Sequence, residues 1–550
     1  MFIPKLFTCL KGYSKRSFFS DLNAATVVAV IAFPLAIALG ISSGVEPGAA
    51  LYTAVVGCFI VSLLGGSRVQ IAGPTGAFVV IVYGIIQKHG ISGLFFATIL
   101  GGMIMIIMGL FRLGTLIKFI PYPITTGFTS GIAVVIFSTQ IKDFLGLHVK
   151  TGENVPADFI HQWSFYIQHI NTINWWAFSI SILSFICIML WPKISKRIPG
   201  SLIVVVLATL FSVAMKHISG NDIVDTIGSR FGEIKLSITP FDISAISFDT
   251  FKNLLLPSIT IAILGSVESL LSAVVADGMI GGNHRSNMEL VANGVANIVT
   301  GFTGGIPVTG AIARTAANVK NGGRTPIAGI CSALILLAIS VLFLPLIKLI
   351  PMCALAAILV GVAYNMGEWD YFVRFKTIPK SDYFVFIVTF LLTIFFDLVT
   401  GILVGLVLAA FLFMKRMVDI SDTDLLGQIK DDRYDRPLPA YELPEKTVLY
   451  EVRGPFFFGA AEKFGKTMRS FKQEHKIIIM KMDKVPAIDA TGLNAFMRFT
   501  SDAARGDCKI VVCGLDKQPR QLLVKAGAAV DIVDTIEEAI AKAKELILSL

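Results

Sequence analysis

Between Leu22 and Met414 the chain runs through about fourteen apolar stretches, each of roughly the 20 residues that cross a bilayer as a helix or a shorter variant, several too short to cross alone. No other feature limits the fold so severely. Inside hydrocarbon every backbone N–H and C=O has to find its partner within the protein, and uninterrupted apolar runs of this length can do so only as helices. The stretches lie near Leu22 to Ile41, Gly48 to Leu64, Thr75 to Ile86, Gly93 to Leu110, Tyr122 to Ile141, Trp175 to Leu190 and Ser201 to Met215. A second set follows near Leu254 to Val275, Leu290 to Phe302, Gly310 to Val319, Pro326 to Leu346, Met352 to Tyr364, Tyr383 to Phe396 and Gly401 to Met414. Only 15% of the residues are charged, against roughly 25% in soluble domains, so the apolar runs dominate the whole chain. The chain is expected to be a polytopic α-helical membrane protein.

Lys and Arg between the runs set the topology, because they accumulate on the cytoplasmic side. Lys5, Lys11, Lys15 and Arg16 precede the first run, which is long and followed by many others, so it reads as a retained span that starts inside rather than a cleaved signal. The basic connections then alternate correctly: Arg68, Arg112 with Lys118, Lys193 with Lys196 and Arg197, Lys320 with Arg324, Arg374 with Lys376 and Lys380, and Lys415 with Arg416 all fall inside. Both termini come out cytoplasmic, in the cytoplasmic or inner membrane. The net charge of +9 is spread over these connections and not gathered on one face, so no nucleic-acid partner is expected. The seven Cys show neither a CxxC pair nor Cys/His ligand spacing, and no catalytic Ser or Cys arrangement or phosphate-binding Gly loop appears. Neither an enzyme, a metal site nor a bound cofactor is expected.

Two of the runs begin abnormally. AGPTGAF (Ala72 to Phe78) and GIPVTGAIAR (Gly305 to Arg314) each place Thr-Gly-Ala shortly after a Gly/Pro break and then enter apolar sequence. Each reads as extended chain that abruptly becomes helix. Such irregular backbone survives at membrane depth only where protein covers it or where it lines a cavity, and a matching pair of breaks points to a transporter's site. They open the third and tenth segments, one set of seven apart. A shift by an odd number reverses direction through the membrane, so the halves are expected to be 7+7 inverted repeats.

A helix N-terminus carries about half a positive charge and several free amides. Two such ends facing each other suit an anion, with Thr75 and Thr309 adding hydroxyls and Gly76 and Gly310 letting backbone approach. The alternative is two buried helix starts that the Thr residues merely cap. Arg314 follows Gly310 by one turn and either sits beside the same site or snorkels to the interface. Glu268 lies in the middle of the eighth segment, where desolvation penalises its charged form. It is a candidate proton carrier, or a structural Glu paired with Arg314.

Residues 1–20 are read as a cytoplasmic N-terminus, 21–416 as the transmembrane transport domain, 417–445 as a polar linker and 446–550 as a soluble α/β domain. The last has strands at Thr447 to Val452, Lys476 to Met482 and Lys509 to Cys513 and helices at Ala461 to Phe471, Gly492 to Ala504, Lys517 to Ala526 and Ile536 to Leu548.

AVIAFPLAIALGISSGVEPGAALYTA in the first two segments, GGSRVQIAGPTGAF at the third, SVESLLSAVVADG in the eighth, the stretch from NMELVANGVANIVTG to GGRTPIAG, and VPAIDATGL in the tail together resemble the SulP (sulfate permease) anion transporters with a C-terminal STAS domain. The resemblance covers nearly the whole chain, and the first three segments are most similar to bacterial C4-dicarboxylate members. It implies a core and a gate domain and a homodimer working by an elevator-like movement. The substrate positions it implies are Thr75, Gly76, Ala77 and Phe78, then Thr309, Gly310, Ala311, Ile312, Ala313 and Arg314, with Leu35 and Leu39 on the wall. Ala313 stands where relatives often carry Ser, and two Leu make that wall apolar, which suits a dicarboxylate's carbon chain. Glu268 matches the acid that couples protons, while in sodium-dependent bicarbonate relatives an acid here and a hydroxyl four residues on, Ser272, help bind sodium. In the tail Thr491 is the hydroxyl left of the STAS phosphorylation signature, a regulatory candidate that implies a cytoplasmic partner for the domain.

The expectation is therefore proton-coupled uptake of an anion such as succinate or fumarate, with sulfate transport, sodium-dependent bicarbonate transport, an anion channel or a STAS-linked sensor as alternatives. Carrying one negative charge inward against about 100 mV costs about 2.3 kcal/mol, which favours a compensating cation.

Overall fold

The structure, a computed structural model, describes residues 2–115, 121–149, 155–156, 158–195, 199–220, 222–234, 236, 248–396, 398–420, 422–425, 441–457 and 475–548. The expected helix at 461–471 and the basic residues Lys118, Lys196 and Arg197 lie outside these. The chain divides into two units, Met1–Leu406 and Val407–Leu550.

Thirteen long elements make up the apolar part. They are α1 (Lys15–Ser42), α2 (Pro47–Leu64), α3 (Gly76–Leu110), α4 (Tyr122–Leu145), α5 (Trp175–Ile194), α6 (Gly200–Ser219), α7 (Phe248–Ile280), α8 (Ser286–Phe302), α9 (Ile312–Lys320), α10 (Pro326–Leu342), α11 (Met352–Met366), α12 (Lys380–Phe395) and α13 (Leu398–Ile420). The third and fourth expected segments are continuous in α3, but Gly90 inside it sits at φ 70°, ψ −177°, where only glycine turns without strain. The fourteen segments are thus present, two of them joined end to end across that kink. Eight helices are long and apolar enough to cross alone among the described residues, and Met352–Met366 with Trp369–Lys376, bent by 45°, make a ninth. At nine residues α9 is half a span, as the break before it required.

Helix α1 starts before its apolar run, because Ser14 caps it by accepting from the Ser17 amide (3.2 Å) and the turn behind carries a buried Asp21. Asp21 accepts from the Thr325 hydroxyl (2.5 Å) and the Arg324 amide (2.8 Å), which fixes the start of α10 against α1.

Helices α1, α2, α3, α7, α8, α9 and α10 pack on one another, and α4, α5, α6, α11 and α12 pack around a second centre, with α13 seated through Gly401 and Gly405 on Thr393 and Thr389 of α12. The close approaches are made by small residues: Gly102 of α3 and Gly294 of α8 each face the other's carbonyl. Hydrophobicity drives no association between helices in lipid, so such backbone proximity carries the packing. By contrast Leu183 and Ile194 of α5 and Leu210 of α6 are exposed, as lipid-facing helices require.

Two short strands complete this unit. β1 (Ala72–Gly73) and β2 (Thr309–Gly310) pair antiparallel, Ala72 opposite Gly310 and Gly73 opposite Thr309. The extended chain that precedes each half-helix is therefore satisfied by the other repeat.

In the second unit β3 (Asp422–Leu425), β4 (Thr447–Arg453), β5 (Ile477–Lys484), β6 (Lys509–Cys513) and β7 (Asp531–Val533) form one sheet in that order, parallel except for β3. Alternation of side chains divides it. Val448, Tyr450, Ile478 and Met480 pack with Phe496, Phe499 and Leu523 from α14 (Ala490–Arg505) and α15 (Lys517–Lys525), while Leu449, Ile479, Val511 and Cys513 face Ala539 and Ala543 of α16 (Ile536–Leu548). β3 falls in the stretch read from the sequence as a polar connection, and β7, three residues long, gave no apolar run to find.

Candidate functional site

The β1–β2 ribbon is the point from which the site is built. Its backbone is accounted for by amides and hydroxyls of the surrounding helices, as buried extended chain demands. Asn297 of α8 pairs with Val308 like a strand neighbour, Nδ2 donating to the carbonyl at 2.9 Å and Oδ1 accepting the amide at 2.8 Å. On the other side Asn318 of α9 donates to Val69 O (2.8 Å), the Thr315 hydroxyl accepts the Ile71 amide (3.0 Å), and the Ala311 amide donates to Ile71 O (2.8 Å).

The half-helices α3 and α9 start just beyond the ribbon, and neither start has a side-chain cap. Thr75 precedes α3 in extended conformation, but its hydroxyl donates to Glu268 Oε2 of α7 at 2.8 Å instead of capping. The Thr309 hydroxyl donates to Gly265 O (2.9 Å) and accepts from Ser269 (2.7 Å), whose oxygen accepts the Gly310 amide (3.0 Å). Both threonines thus bind the ribbon to α7 and leave the helix-start amides of Gly76, Ala77, Ile312 and Ala313 free of side-chain caps. Ile312 and Ala313 are exposed, Thr75 is half-buried, and Gly76, Ala77, Phe78, Thr309, Gly310 and Ala311 are buried.

Arg314 is 3% exposed and donates to Pro74 O, with its guanidinium lying over Gly73. It reaches across the ribbon to the start of the opposite half-helix and does not snorkel outward. Glu268 is 9% exposed, and no ion pair within 4 Å joins it to Arg314. A cation and a carboxyl therefore both meet the start of α3, at Pro74 and at Thr75, without a direct ion pair between them. Ser272, one turn after Glu268, donates to Thr315 Oγ1 at 3.1 Å. Leu39 and Phe78 belong to one large buried apolar cluster, against which Leu35 packs. Thr491 is exposed on the first turn of α14 in the second unit, where Asp489 caps the helix by accepting the Gly492 amide at 2.6 Å.

Sequence reading singled out the ribbon, Arg314 and Glu268 but missed the groups that hold them. Ser269, Thr315 and Asn297 are buried polar residues within or beside apolar segments. That position is itself a signal, since a polar side chain at membrane depth needs a partner.

The sulfate permease family model matches residues 18–389, and the STAS domain model matches residues 439–543. A Bacillus subtilis protein named "Putative sulfate transporter YvdB" is 37% identical over 94% of this chain and 95% of its own length. The bicarbonate transporter BicA of Picosynechococcus is 27% identical over 93% of this chain and 91% of its own. Among solved structures, the transmembrane domain of a cyanobacterial BicA superposes with a TM-score of 0.63 over 72% of this chain and 98% of that one, at 27% identity. Murine Slc26a9, an anion transporter in an inward-facing state, superposes with a TM-score of 0.86 over 99% of this chain and 94% of that one. At 18% identity it attests the shared fold. With a family match over most of the apolar unit, a relative above the 30% level along nearly its full length and the same fold throughout, this chain is a multi-pass membrane protein of the sulfate permease family of anion transporters, carrying a STAS domain.

Proposed function

We propose that this chain is a secondary active transporter that brings a small oxyanion into the cell together with a cation taken up at Glu268. The observation that carries the reading is the pair of half-helix starts, uncapped by side chains and held together by the β1–β2 ribbon, with Arg314 bound at Pro74 and Glu268 at Thr75. Free amides at two N-termini supply roughly one unit of positive potential for the anion. Glu268 contacts Thr75 at the start of α3, so a proton arriving on the carboxyl changes the hydrogen bonding at the anion's own edge. A proton is the cation favoured here, and the Ser272 position keeps sodium as the second reading.

The relatives named above support sulfate or bicarbonate as substrate at least as well as a C4-dicarboxylate, for which the apolar side chains of Leu35, Leu39 and Phe78 speak. We place the protein in the cytoplasmic membrane with both termini inside, working as a homodimer whose α1–α3 and α7–α10 group moves against the rest. The STAS domain, with Thr491 accessible, serves regulation or assembly through a cytoplasmic partner.

The test is uptake of labelled sulfate, bicarbonate and succinate into proteoliposomes under imposed proton and sodium gradients. An inward proton gradient should accelerate one of them at least about 10-fold, and Glu268→Gln should remove that acceleration. Uptake that ignores the proton gradient and survives Glu268→Gln rejects proton coupling, and dependence on sodium instead selects the second reading. Flux that never saturates identifies a channel.

A further inference from the structure

Gln70 lies two residues before β1, is 5% exposed, and has neither its Nε2 nor its Oε1 hydrogen-bonded. A buried amide with both ends unpaired costs on the order of a few kcal/mol, so its retention needs a reason. Its carboxamide lies against Gly310 of β2, two residues before α9 begins. A Cβ added at Gly310 would fall 1.9 Å from Nε2 and 2.6 Å from Cδ, and 3.2 Å from Cα of Ser269. The missing side chain at Gly310 is what makes room for the Gln70 amide. The other amides around the ribbon support backbone: Asn297 spends both ends on Val308 and Asn318 donates to Val69 O, its Oδ1 left unpaired, while Gln70 spends neither end.

We propose that Gln70 contacts the transported anion and that its carboxamide selects oxyanions bearing an O–H, the bicarbonate or hydrogen-carboxylate class, over acceptor-only dianions of the sulfate class. The proposal rests on the anion-transport reading above. An amide offers one donor end and one acceptor end. A hydrogen-bearing oxyanion accepts from Nε2 and donates its O–H to Oε1, which satisfies both. Sulfate has no proton to give, so it satisfies Nε2 alone and leaves Oε1 unpaired beside a negative charge. Sites that hydrogen-bond a ligand O–H discriminate strongly against analogues without it, because the buried partner is then left bare.

The experiment measures anion affinity of the full chain in detergent by the shift of its thermal unfolding midpoint. The probes are bicarbonate at about pH 8, succinate at about pH 5 where its monoanion is abundant, and sulfate at both. In the wild-type protein at least one O–H-bearing anion is expected to bind at least about 10-fold more tightly than sulfate, and the two arms tell bicarbonate from hydrogen-succinate. Gln70→Met should abolish that preference, weakening the favoured anion about 10-fold or more while sulfate changes less than about 3-fold. Gln70→Leu, of similar size but with neither donor nor acceptor and no charge, is scored by the same ratio if Gln70→Met fails to fold. Equal weakening of all anions, no weakening, or tighter binding of sulfate by the wild type overturns the proposal. If no probe shifts the wild-type midpoint, it is the anion-transport reading that fails.

Discussion

Gly73 and Gly310 are the two residues at which a single methyl group has the largest consequence. Each lets a polar side chain from the other half of the chain cross it, Arg314 over Gly73 and Gln70 over Gly310. Gly73 also has φ 154°, and an added Cβ there would lie 2.5 Å from a guanidinium nitrogen. Gly73→Ala is expected to push Arg314 off Pro74 and cut uptake more than about 10-fold, while Gly310→Ala lowers stability by about 1–3 kcal/mol through overpacking. Thermal unfolding and proteoliposome flux measured on the same preparations check both. Arg314→Lys should retain less than about a tenth of wild-type uptake, since a point charge on a flexible stem replaces a planar group that spans the ribbon. At this scale the sequence was most informative where chemistry was out of place, as with Glu268 inside an apolar run and Gly/Pro before Thr-Gly-Ala. It offered Thr75 and Thr309 as hydroxyl donors to the anion or as caps, and in the structure both hydroxyls are spent on α7. A hydroxyl before a helix reads as a cap, and only packing of α7 against the ribbon turned Thr75 to Glu268 and Thr309 to Gly265.

Among the elements, α14 and β4 carry the measurable devices of the soluble unit. Removing the Asp489 cap leaves the Gly492 amide without its partner, so Asp489→Ala should cost that helix about 1 kcal/mol and speed exchange of the Gly492 amide about 5-fold in the full chain, read by hydrogen exchange. On β4, burial alone would raise the pKa of Glu451, but hydrogen bonds from Lys484 (3.0 Å) and Arg453 outweigh it and hold the carboxyl below its ordinary 4.5. A depressed folded-state value contributes stability that is present above the unfolded pKa and disappears as pH falls through the folded one. Exchange protection of β4 should therefore decline below about pH 4.5, and Glu451→Gln should flatten that decline. The strands and helices of this unit were legible because Thr447–Arg453, Ile477–Lys484 and Lys509–Cys513 are apolar and central. β3 was not, since the edge of a sheet tolerates the polar run DTDL.

For the molecule as a whole, hydropathy gave about fourteen segments, and the repeated Gly/Pro break before Thr-Gly-Ala matched the third with the tenth. The join of two segments across Gly90 was invisible, because a glycine that ends one helix and a glycine that bends a longer one look alike in sequence. The topology is open to direct measurement. In a cysteine-free background, a cysteine at Asp222 should react with a membrane-impermeant maleimide on intact cells and one at Lys376 only after permeabilisation, and the reverse pattern would overturn the assigned orientation. The ribbon at the centre also has a consequence for how the protein comes into being. Pro74 and the Arg314 that holds it are 240 residues apart. At about 5–20 residues per second the ribosome needs roughly 10–50 s to supply the second strand after the first. Throughout that interval the newborn β1 has no strand to pair with, so the third segment cannot settle at its final depth when it leaves the ribosome. Its assembly waits for the tenth, so the ribbon that joins the two repeats can close only after the whole of the first has been made.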